Sequence, residues 1–108
     1  MPELKNNPSL SDFQKYVSEL EIERGFASQT IIDKCLLLGE EVGELFKAVR
    51  KSEGLLVDSN SKFSEIGHEL TDILIYLCAI ANRKGIDLEE AFRAKEEKNK
   101  NRIWKAVK

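Results

Sequence analysis

The chain has 108 residues, 42% of them hydrophobic and 33% charged, with a formal net charge of −2. That length fits a single domain, residues 1–108, in which residues 1–8 form a flexible N-terminal segment. The charge balance excludes a general attraction to nucleic-acid polymers or anionic membranes, and no apolar run is long enough to span a bilayer. The opening stretch MPELKNNPSLSD has no signal-peptide core, so we expect a cytoplasmic protein.

The first predicted helix begins near Ser9 or Ser11 and ends near Gly25. Ser11 and Gln14 have the spacing of a capping box, in which each side chain accepts a hydrogen bond from the other residue's backbone N–H. Glycine is the commonest residue just past the end of a helix. Between these points apolar residues recur at helical spacing, namely Phe13, Tyr16, Val17 and Leu20.

Three more helices are predicted, from about Ser28 to Lys51, from about Lys62 to Lys84, and from Asp87 to the C-terminus. The loop SEGLLVDSNS separates the first two, Gly85 ends the second, and Asp87 with Glu90 forms an N-cap box for the last. Because the sequence has no β alternation, the predicted fold class is all-α, an up-and-down bundle of about four helices.

The two long helices carry apolar residues on more than one face, which a chain of this size can hardly cover alone. On the second helix Leu36 and Leu37 share the side of the glutamates. We therefore expect oligomerisation, at least to a homodimer, to complete the fold. Cys35 and Cys78 fall in apolar segments and are expected to be reduced core residues. The main stripe of the second helix comprises Cys35, Leu38, Val42, Leu45, Phe46 and Val49.

Asp72 is the only charged residue in the run LTDILIYLCAIAN. A lone carboxylate in such a segment is costly unless something compensates it. Glu69 lies one helical turn before it, and Glu65 lies one turn earlier still. The pattern indicates that Glu69 and Asp72 form a carboxylate pair in the interior, where another group must offset the cost of their burial.

Glu40, Glu41 and Glu44 form a second acidic set inside LLLGEEVGELF. Like charges at this spacing destabilise an isolated helix, so the set is either a solvated acidic face or half of a metal site. If the two sets face each other, their carboxylates suit Mg²⁺, which takes its remaining ligands from water and substrate phosphates. Since His68 is the only histidine, no zinc site is expected.

Lys95, Asn99 and Arg102 are spaced i, i+4 and i+7 near the C-terminus, so on a helix they point the same way. They are either an ordinary charged helix face or a set of donors for phosphate oxygens. Beside an acidic metal site, the second interpretation predicts contacts to the far phosphates of a polyphosphate substrate.

At these residues the chain resembles the MazG-like nucleoside triphosphate pyrophosphohydrolases. The shared pattern is EExxE, a spacer and ExxD, here EEVGE from Glu40 and ELTD from Glu69. The lead-in from Gln29 and Thr30 also resembles the family, and HELTDILIYLCAIANRKGIDLEEAF, followed by the three phosphate candidates, resembles its dCTP pyrophosphatase branch. The similarity extends over roughly residues 26–103.

The resemblance implies an all-α fold that works as a homodimer or a homotetramer built from two dimers. It implies Mg²⁺-dependent cleavage of a (d)NTP between the α and β phosphates, giving a (d)NMP and pyrophosphate, in nucleotide-pool house-cleaning. The metal ligands that it implies are Glu41, Glu44, Glu69 and Asp72. The catalytic residues that it implies are Glu40, Glu41 and Glu44. The phosphate contacts that it implies are Lys95, Asn99 and Arg102. Phe26 stands near the place where the family often has a base-stacking Trp; Phe13, Tyr16 and Trp104 are other stacking candidates.

Two alternatives remain open from the sequence. The chain could be a non-enzymatic oligomeric helical module with a regulatory role, in which case the acidic pairs are structural. It could also be a related all-α hydrolase specific for dUTP or for phosphoribosyl-ATP. A panel of nucleotides with analysis of the products separates these three interpretations.

Overall fold

A computed structural model describes residues 1–107 of the chain. It contains four α-helices in the order α1 (Leu10–Arg24), α2 (Ile31–Ser52), α3 (Ile66–Arg83) and α4 (Leu88–Lys100). No strand occurs among the described residues, and the predicted all-α fold class is confirmed. Within the same range, none of the helices combines the length and the hydropathy that crossing a membrane requires.

The start of α1 is set by Ser9 and Asp12. The Ser9 hydroxyl accepts a hydrogen bond from the Asp12 N–H at 3.1 Å, and the Asp12 carboxylate accepts one from the Ser9 N–H at 2.8 Å. The predicted capping box of Ser11 and Gln14 is wrong, because Ser11 already lies within the helix. The end of α1 agrees with the prediction, since Gly25 adopts the left-handed conformation with φ of 77°.

Both long helices begin later than predicted. Thr30 and Asp33 form a capping box, so α2 starts at Ile31 and the preceding residues from Ser28 are not helical. The N-cap of α3 is Glu65, so the helix starts at Ile66 instead of near Lys62. The α2–α3 connection is therefore longer than the sequence pattern indicated.

α4 begins as predicted and ends early. The Asp87 carboxylate accepts a hydrogen bond from the Glu90 N–H at 3.0 Å. The prediction that the helix reaches the C-terminus is wrong, because i to i−3 bonds close its last turn at Lys100 and residues 101–107 are not helical. Lys108 lies outside the described residues.

The helices pack in a chain of neighbours. α2 lies along α3, α1 packs on the same helix α3, and α4 makes its main contact with α1. The face of α2 that carries Lys34 and Ala48 is buried, and Glu41 is partly buried between them. Cys35 does not lie on this face and is exposed, so its predicted core position is wrong. The small core between α1 and α3 consists of Val17, Leu20, Cys78 and Ala79.

Gln14 joins α1 to the turn between α3 and α4. Its side-chain amide donates to Asn82 at 3.1 Å and to the Ile86 carbonyl at 2.8 Å, and its side-chain oxygen accepts from the Leu88 N–H at 2.9 Å. The Asn82 amide donates back to the Gln14 carbonyl at 2.9 Å. Because these groups are partly buried and paired, they fix the place from which α4 departs.

The chain leaves much apolar surface uncovered. Its accessible surface is 8515 Å², whereas a folded monomer of this mass exposes about 6,100 Å². Its radius of gyration is 17.1 Å, compared with about 13 Å for a compact domain of this length. Large apolar side chains stand exposed on α2 and α3, among them Ile32, Leu36, Phe46, Val49, Leu70 and Leu77.

Candidate active site

Three carboxylates meet where α2 lies against α3. Glu41 comes from the middle of α2, and Glu69 and Asp72 come from the first two turns of α3. One oxygen from each of the three carboxylates lies within 4.8 Å of the other two. We call Glu41, Glu69 and Asp72 the acidic cluster. Within residues 1–107 no ion pair connects any of the three to a Lys or Arg side chain.

Glu69 is the most enclosed member of the acidic cluster, with only 5% of its surface exposed. The Ser64 hydroxyl donates a hydrogen bond to its Oε1. Its Oε2 is buried and accepts no hydrogen bond from an N–H group or a hydroxyl among the described residues. A buried carboxylate oxygen without a partner is costly, and a cation at this point would remove the cost.

The carboxyl groups of the acidic cluster affect one another's pKa. A hydrogen bond shared with Glu69, burial, and the charges of Glu69, Asp72 and Glu44 raise the pKa of Glu41 from 4.5 to about 7. The pKa of Glu69 is lowered, first by the Ser64 hydroxyl and then by Glu41. The opposite directions show that the two carboxyl groups titrate as a pair, as expected when like charges are forced together.

The structure places the other two predicted glutamates at the edge of this cluster. Glu44 is partly buried, its carboxylate lies 3.6 Å from the Lys47 ammonium, and its charge contributes to the raised pKa of Glu41. Glu40 is exposed, and its charge reaches Tyr76, whose pKa it helps to raise after burial and the charges of Glu41 and Asp72. Both glutamates lie near the acidic cluster without being part of it.

A cavity of about 250 Å³ opens beside Asp72, between α1, the α1–α2 connection, α2 and α3. Phe26 and Tyr76 contribute aromatic rings to its lining, and Gln29 contributes an amide. Phe26, the predicted base-stacking residue, thus lies in the same cavity as Asp72. The other stacking candidates lie elsewhere, since Phe13 and Tyr16 pack on the core and Trp104 lies under the Arg102 guanidinium.

One acid and two bases form an ionic group beside the cavity, and two of its members, Glu21 and Lys34, are buried and line the cavity. The Glu21 carboxylate lies 3.1 Å from the Lys34 ammonium and accepts two hydrogen bonds from Arg83, at 2.9 and 2.7 Å. The Lys34 ammonium also lies 5.1 Å from the centre of the Phe26 ring and 5.5 Å from that of Tyr76. We call Glu21, Lys34 and Arg83 the ion-pair cluster.

The predicted phosphate contacts lie on and just after α4. Lys95 and Asn99 line one shallow depression together, and the Asn99 amide donates to Glu96 at 2.7 Å. Arg102 follows the end of the helix and stacks on Trp104 at 4.4 Å. α4 packs mainly on α1, and among residues 1–107 no hydrogen bond or ion pair joins these three side chains to the acidic cluster.

Residues 27–105 match the sequence model of the MazG nucleotide pyrophosphohydrolase domain. The chain belongs to the MazG family. It is therefore an enzyme, a hydrolase that acts on the acid anhydrides of nucleotides. The regulatory module without activity, one of the two alternatives from the sequence, does not agree with this membership.

Solved structures agree with the assignment to the MazG family. Two crystal structures of iMazG from Vibrio DAT 722, its Ctag and Ntag forms, each share 33% sequence identity with this chain at a TM-score of 0.66. The matches cover 85% and 87% of this chain and 98% and 99% of those chains. No curated protein sequence matches the chain.

Enzymes of the MazG family depend on a metal, and the acidic cluster is chemically suited to hold one. Its donors are carboxylate oxygens, which hard divalent cations prefer, and the unpartnered Oε2 of Glu69 is an oxygen that still needs a positive partner. The raised pKa of Glu41 has the same origin, because negative charge accumulates there without compensation. The residues present therefore fit a divalent metal.

The sequence interpretation missed the ion-pair cluster of this MazG domain. Lys34 is only 3% exposed, and it is the only basic residue in the stretch KCLLLGEEVGELF. A lone basic residue at the start of an apolar run indicates a buried charge, as the lone Asp72 does in its own run. Glu21 carries no such signal, because it lies in an ordinary charged helix, EIER, where nothing local marks it as buried.

Proposed function

We propose that the chain is a Mg²⁺-dependent pyrophosphohydrolase of (d)NTPs. It cleaves between the α and β phosphates, releases a (d)NMP and pyrophosphate, and serves nucleotide-pool house-cleaning. The observation that carries the proposal is the acidic cluster, three carboxylates within 4.8 Å of each other without a basic partner among the described residues. An enzyme domain that binds polyphosphates and retains so much uncompensated negative charge needs a cation between itself and its substrate.

The ligands we assign to Mg²⁺ are Glu41, Glu69, Asp72 and Glu44. The first three already lie together, and Glu44 lies near enough for its charge to affect Glu41. When bound, the cation supplies charge neutralisation and Lewis-acid polarisation of the phosphates. Glu44 is paired with Lys47 in the structure, so this assignment requires its carboxylate to leave that exposed ion pair, which costs about 1 kcal/mol or less.

Glu40 is assigned to the water that attacks the α-phosphorus. It is exposed on α2, one residue before Glu41 and one turn before Glu44. From this place its carboxylate can orient a water molecule and accept a proton without being a ligand itself. Glu41 and Glu44 share the catalytic role because their negative charges act on that water.

Lys95, Asn99 and Arg102 are assigned to the β and γ phosphate oxygens. Lysine supplies a point charge, asparagine a neutral donor and arginine a fork that binds two oxygens together. Since α4 packs mainly on α1, these three side chains would most simply reach the acidic cluster of a second copy of the chain. The active site that we propose is then shared between subunits.

We also propose that the chain works as a homodimer or as a dimer of dimers. The accessible surface of 8515 Å² exceeds that of an ordinary monomer of this mass by about 2,400 Å². An excess of this size is comparable to what an obligate interface buries. The exposed apolar side chains of α2 and α3, such as Leu36, Phe46 and Leu70, supply the surface that such an interface needs.

The test is a panel of nucleotides with product analysis. The panel contains dCTP first, because of the resemblance to that branch, then the other dNTPs and NTPs, and phosphoribosyl-ATP. With Mg²⁺ present we expect a monophosphate and pyrophosphate, and in ¹⁸O-labelled water we expect the label in the monophosphate. Release of a diphosphate with inorganic phosphate, or no turnover of any nucleotide, would contradict the proposal. Preferential turnover of dUTP or phosphoribosyl-ATP would support the related hydrolase instead.

A further inference from the structure

We propose that Ser64 is a positioning residue, which holds the Glu69 carboxylate in the orientation that a divalent cation requires. This inference rests on the proposed function, because it takes the acidic cluster as the metal site. Ser64 lies in the α2–α3 connection, two residues before α3 begins at Ile66. It is outside both acidic helix segments, so the charge pattern of the sequence did not point to it.

The two oxygens of the Glu69 carboxylate have different surroundings. The Ser64 hydroxyl donates a hydrogen bond to Oε1, whereas the buried Oε2 accepts none from an N–H group or a hydroxyl among the described residues. A hydrogen bond to one oxygen restricts the rotation of the carboxylate and leaves the other oxygen for a ligand. Carboxylates that bind metals are commonly held in this way by a group that does not touch the metal.

The connection fixes Ser64 against α2 through the preceding residue, Phe63. The ammonium groups of Lys47 and Lys51 lie 5.9 and 5.4 Å from the centre of the Phe63 ring. Lys47 also lies 3.6 Å from the carboxylate of Glu44, another ligand that we assign to the cation. The segment that carries Ser64 is therefore attached to α2 beside the acidic cluster.

The following residue, Glu65, attaches Ser64 to α3. The Glu65 carbonyl accepts a hydrogen bond from the Glu69 N–H at 3.2 Å. Glu69 is thus bound to the end of the connection twice, by its backbone to Glu65 and by its side chain to Ser64. Because the carboxylate is already oriented, a cation that binds there does not have to order it.

A purely structural role for Ser64 predicts a different result. If the hydroxyl only satisfies a buried carboxylate, its removal lowers the stability of the metal-free protein and leaves the affinity of the folded protein for a cation unchanged. If the hydroxyl positions Glu69, the affinity itself falls. The affinity for the metal therefore separates the two roles.

The experiment measures the binding of Mn²⁺ alone to the wild type and to Ser64→Ala. Mn²⁺ shares the preference of Mg²⁺ for carboxylate oxygens, and the electron paramagnetic resonance signal of the free ion decreases as it binds. The loss of the hydrogen bond should raise the Kd for Mn²⁺ about 10- to 100-fold. Ser64→Thr keeps the hydroxyl donor and should stay within about threefold of the wild type. Ser59→Ala, at an exposed serine of the same connection, is the matched control and should bind like the wild type.

The Mg²⁺ dependence of turnover gives a second measurement. Ser64→Ala should need about 10- to 100-fold more Mg²⁺ for half-maximal pyrophosphate release, and its kcat at saturating Mg²⁺ should return close to that of the wild type. Circular dichroism checks the fold. If Ser64→Ala does not fold, Ser64→Cys replaces it in both measurements, because a thiol has nearly the size of the hydroxyl but is a weak donor.

An unchanged Kd in Ser64→Ala, or an equal loss in Ser59→Ala, would overturn the role of Ser64 while leaving the proposed function standing. A loss in Ser64→Thr as large as in Ser64→Ala would also contradict it, because the hydroxyl is still present. If the wild type binds no Mn²⁺ and releases no pyrophosphate, the proposed function fails and the role of Ser64 fails with it.

Discussion

The ion-pair cluster and the acidic cluster both draw residues from α2 and α3, with α1 adding Glu21 to the first. Only in the ion-pair cluster do the charged side chains have partners of opposite charge among the described residues. In the ion-pair cluster one carboxylate is held by two cations at 2.7 to 3.1 Å. In the acidic cluster three carboxylates lie within 4.8 Å, and among residues 1–107 no Lys or Arg forms an ion pair with any of them. The neighbouring site shows that this fold can neutralise buried charge, so the charge left on the acidic cluster indicates a ligand that comes from outside.

The largest expected effect is the loss of activity when the acidic cluster is changed. Asp72→Asn and Glu41→Gln keep the size of each side chain and remove its charge, so each should lower pyrophosphate release at least about 100-fold. Circular dichroism should show an unchanged helical fold. Glu65→Gln, at the exposed N-cap of α3, is the matched control and should keep wild-type turnover. Wild-type activity in both cluster variants would make the assignment of the site wrong.

The ion-pair cluster should respond in stability. Glu21→Gln leaves the Lys34 and Arg83 charges buried without their anion, and we expect a loss of about 3 kcal/mol in the free energy of unfolding. Urea denaturation of the metal-free protein measures it. Glu23→Gln is the control on the same helix, because Glu23 is exposed and forms no ion pair among residues 1–107. If the two variants were equally stable, the ion-pair cluster would not be a source of stability.

Added Mg²⁺ should stabilise the folded chain through the acidic cluster. At a concentration about 100 times the dissociation constant, binding to the folded state alone adds about 2.7 kcal/mol. The wild-type melting temperature should therefore rise with Mg²⁺ and return after addition of EDTA. Asp72→Asn should show a much smaller rise under the same conditions. An equal rise in the two proteins would mean that Mg²⁺ binds elsewhere.

The smallest expected effect is on the pH dependence of the metal-free protein. The pKa of Glu41 is raised from 4.5 to about 7, so between these values the folded state binds more protons than the unfolded state. The free energy of unfolding should therefore decrease as pH rises from about 4.5 to about 7. The lowered pKa of Glu69 acts in the opposite direction and at lower pH, where stability is lost as pH falls.

Glu41→Gln isolates this effect because glutamine does not titrate. Urea denaturation of both proteins at pH 5 and pH 8, without metal, should show a smaller decrease for the variant than for the wild type. Relative to the wild type, the variant should gain stability at pH 8, where the unfavourable charge has been removed. The same decrease in both proteins would assign the pH dependence to other groups.

The acidic cluster could be predicted from the sequence because its signal is local. Asp72 stands alone in an apolar run, and Glu41 lies among like charges in another, so each segment carries a cost that its own helix cannot remove. The same local patterns gave the four helices, and capping chemistry explains where the boundaries differ. Ser9 and Asp12 form the first cap, for example, because both of their hydrogen bonds are made there.

The ion-pair cluster could not be predicted in this way. Glu21 and Arg83 are 62 positions apart. Glu21 lies in a segment whose pattern is ordinary for an exposed helix, and Arg83 follows the apolar run LTDILIYLCAIAN, at the helix end where a basic residue is common. Only the packing of α1 against α3 brings them together, and a single sequence does not report that register. The end of α4 was missed for a related reason. The local helical pattern does not show the point at which i to i−3 hydrogen bonds close the last turn.

The surface that the chain leaves uncovered also has a consequence for how it is measured. If a second copy covers that surface, part of the free energy of folding is gained only on association, so the midpoint of unfolding should rise with protein concentration. A remote substitution such as Phe46→Lys, on an exposed apolar side chain of α2, would then lower activity most in dilute assays. The defect would resemble damage to the active site at nanomolar protein and fade as the enzyme is concentrated.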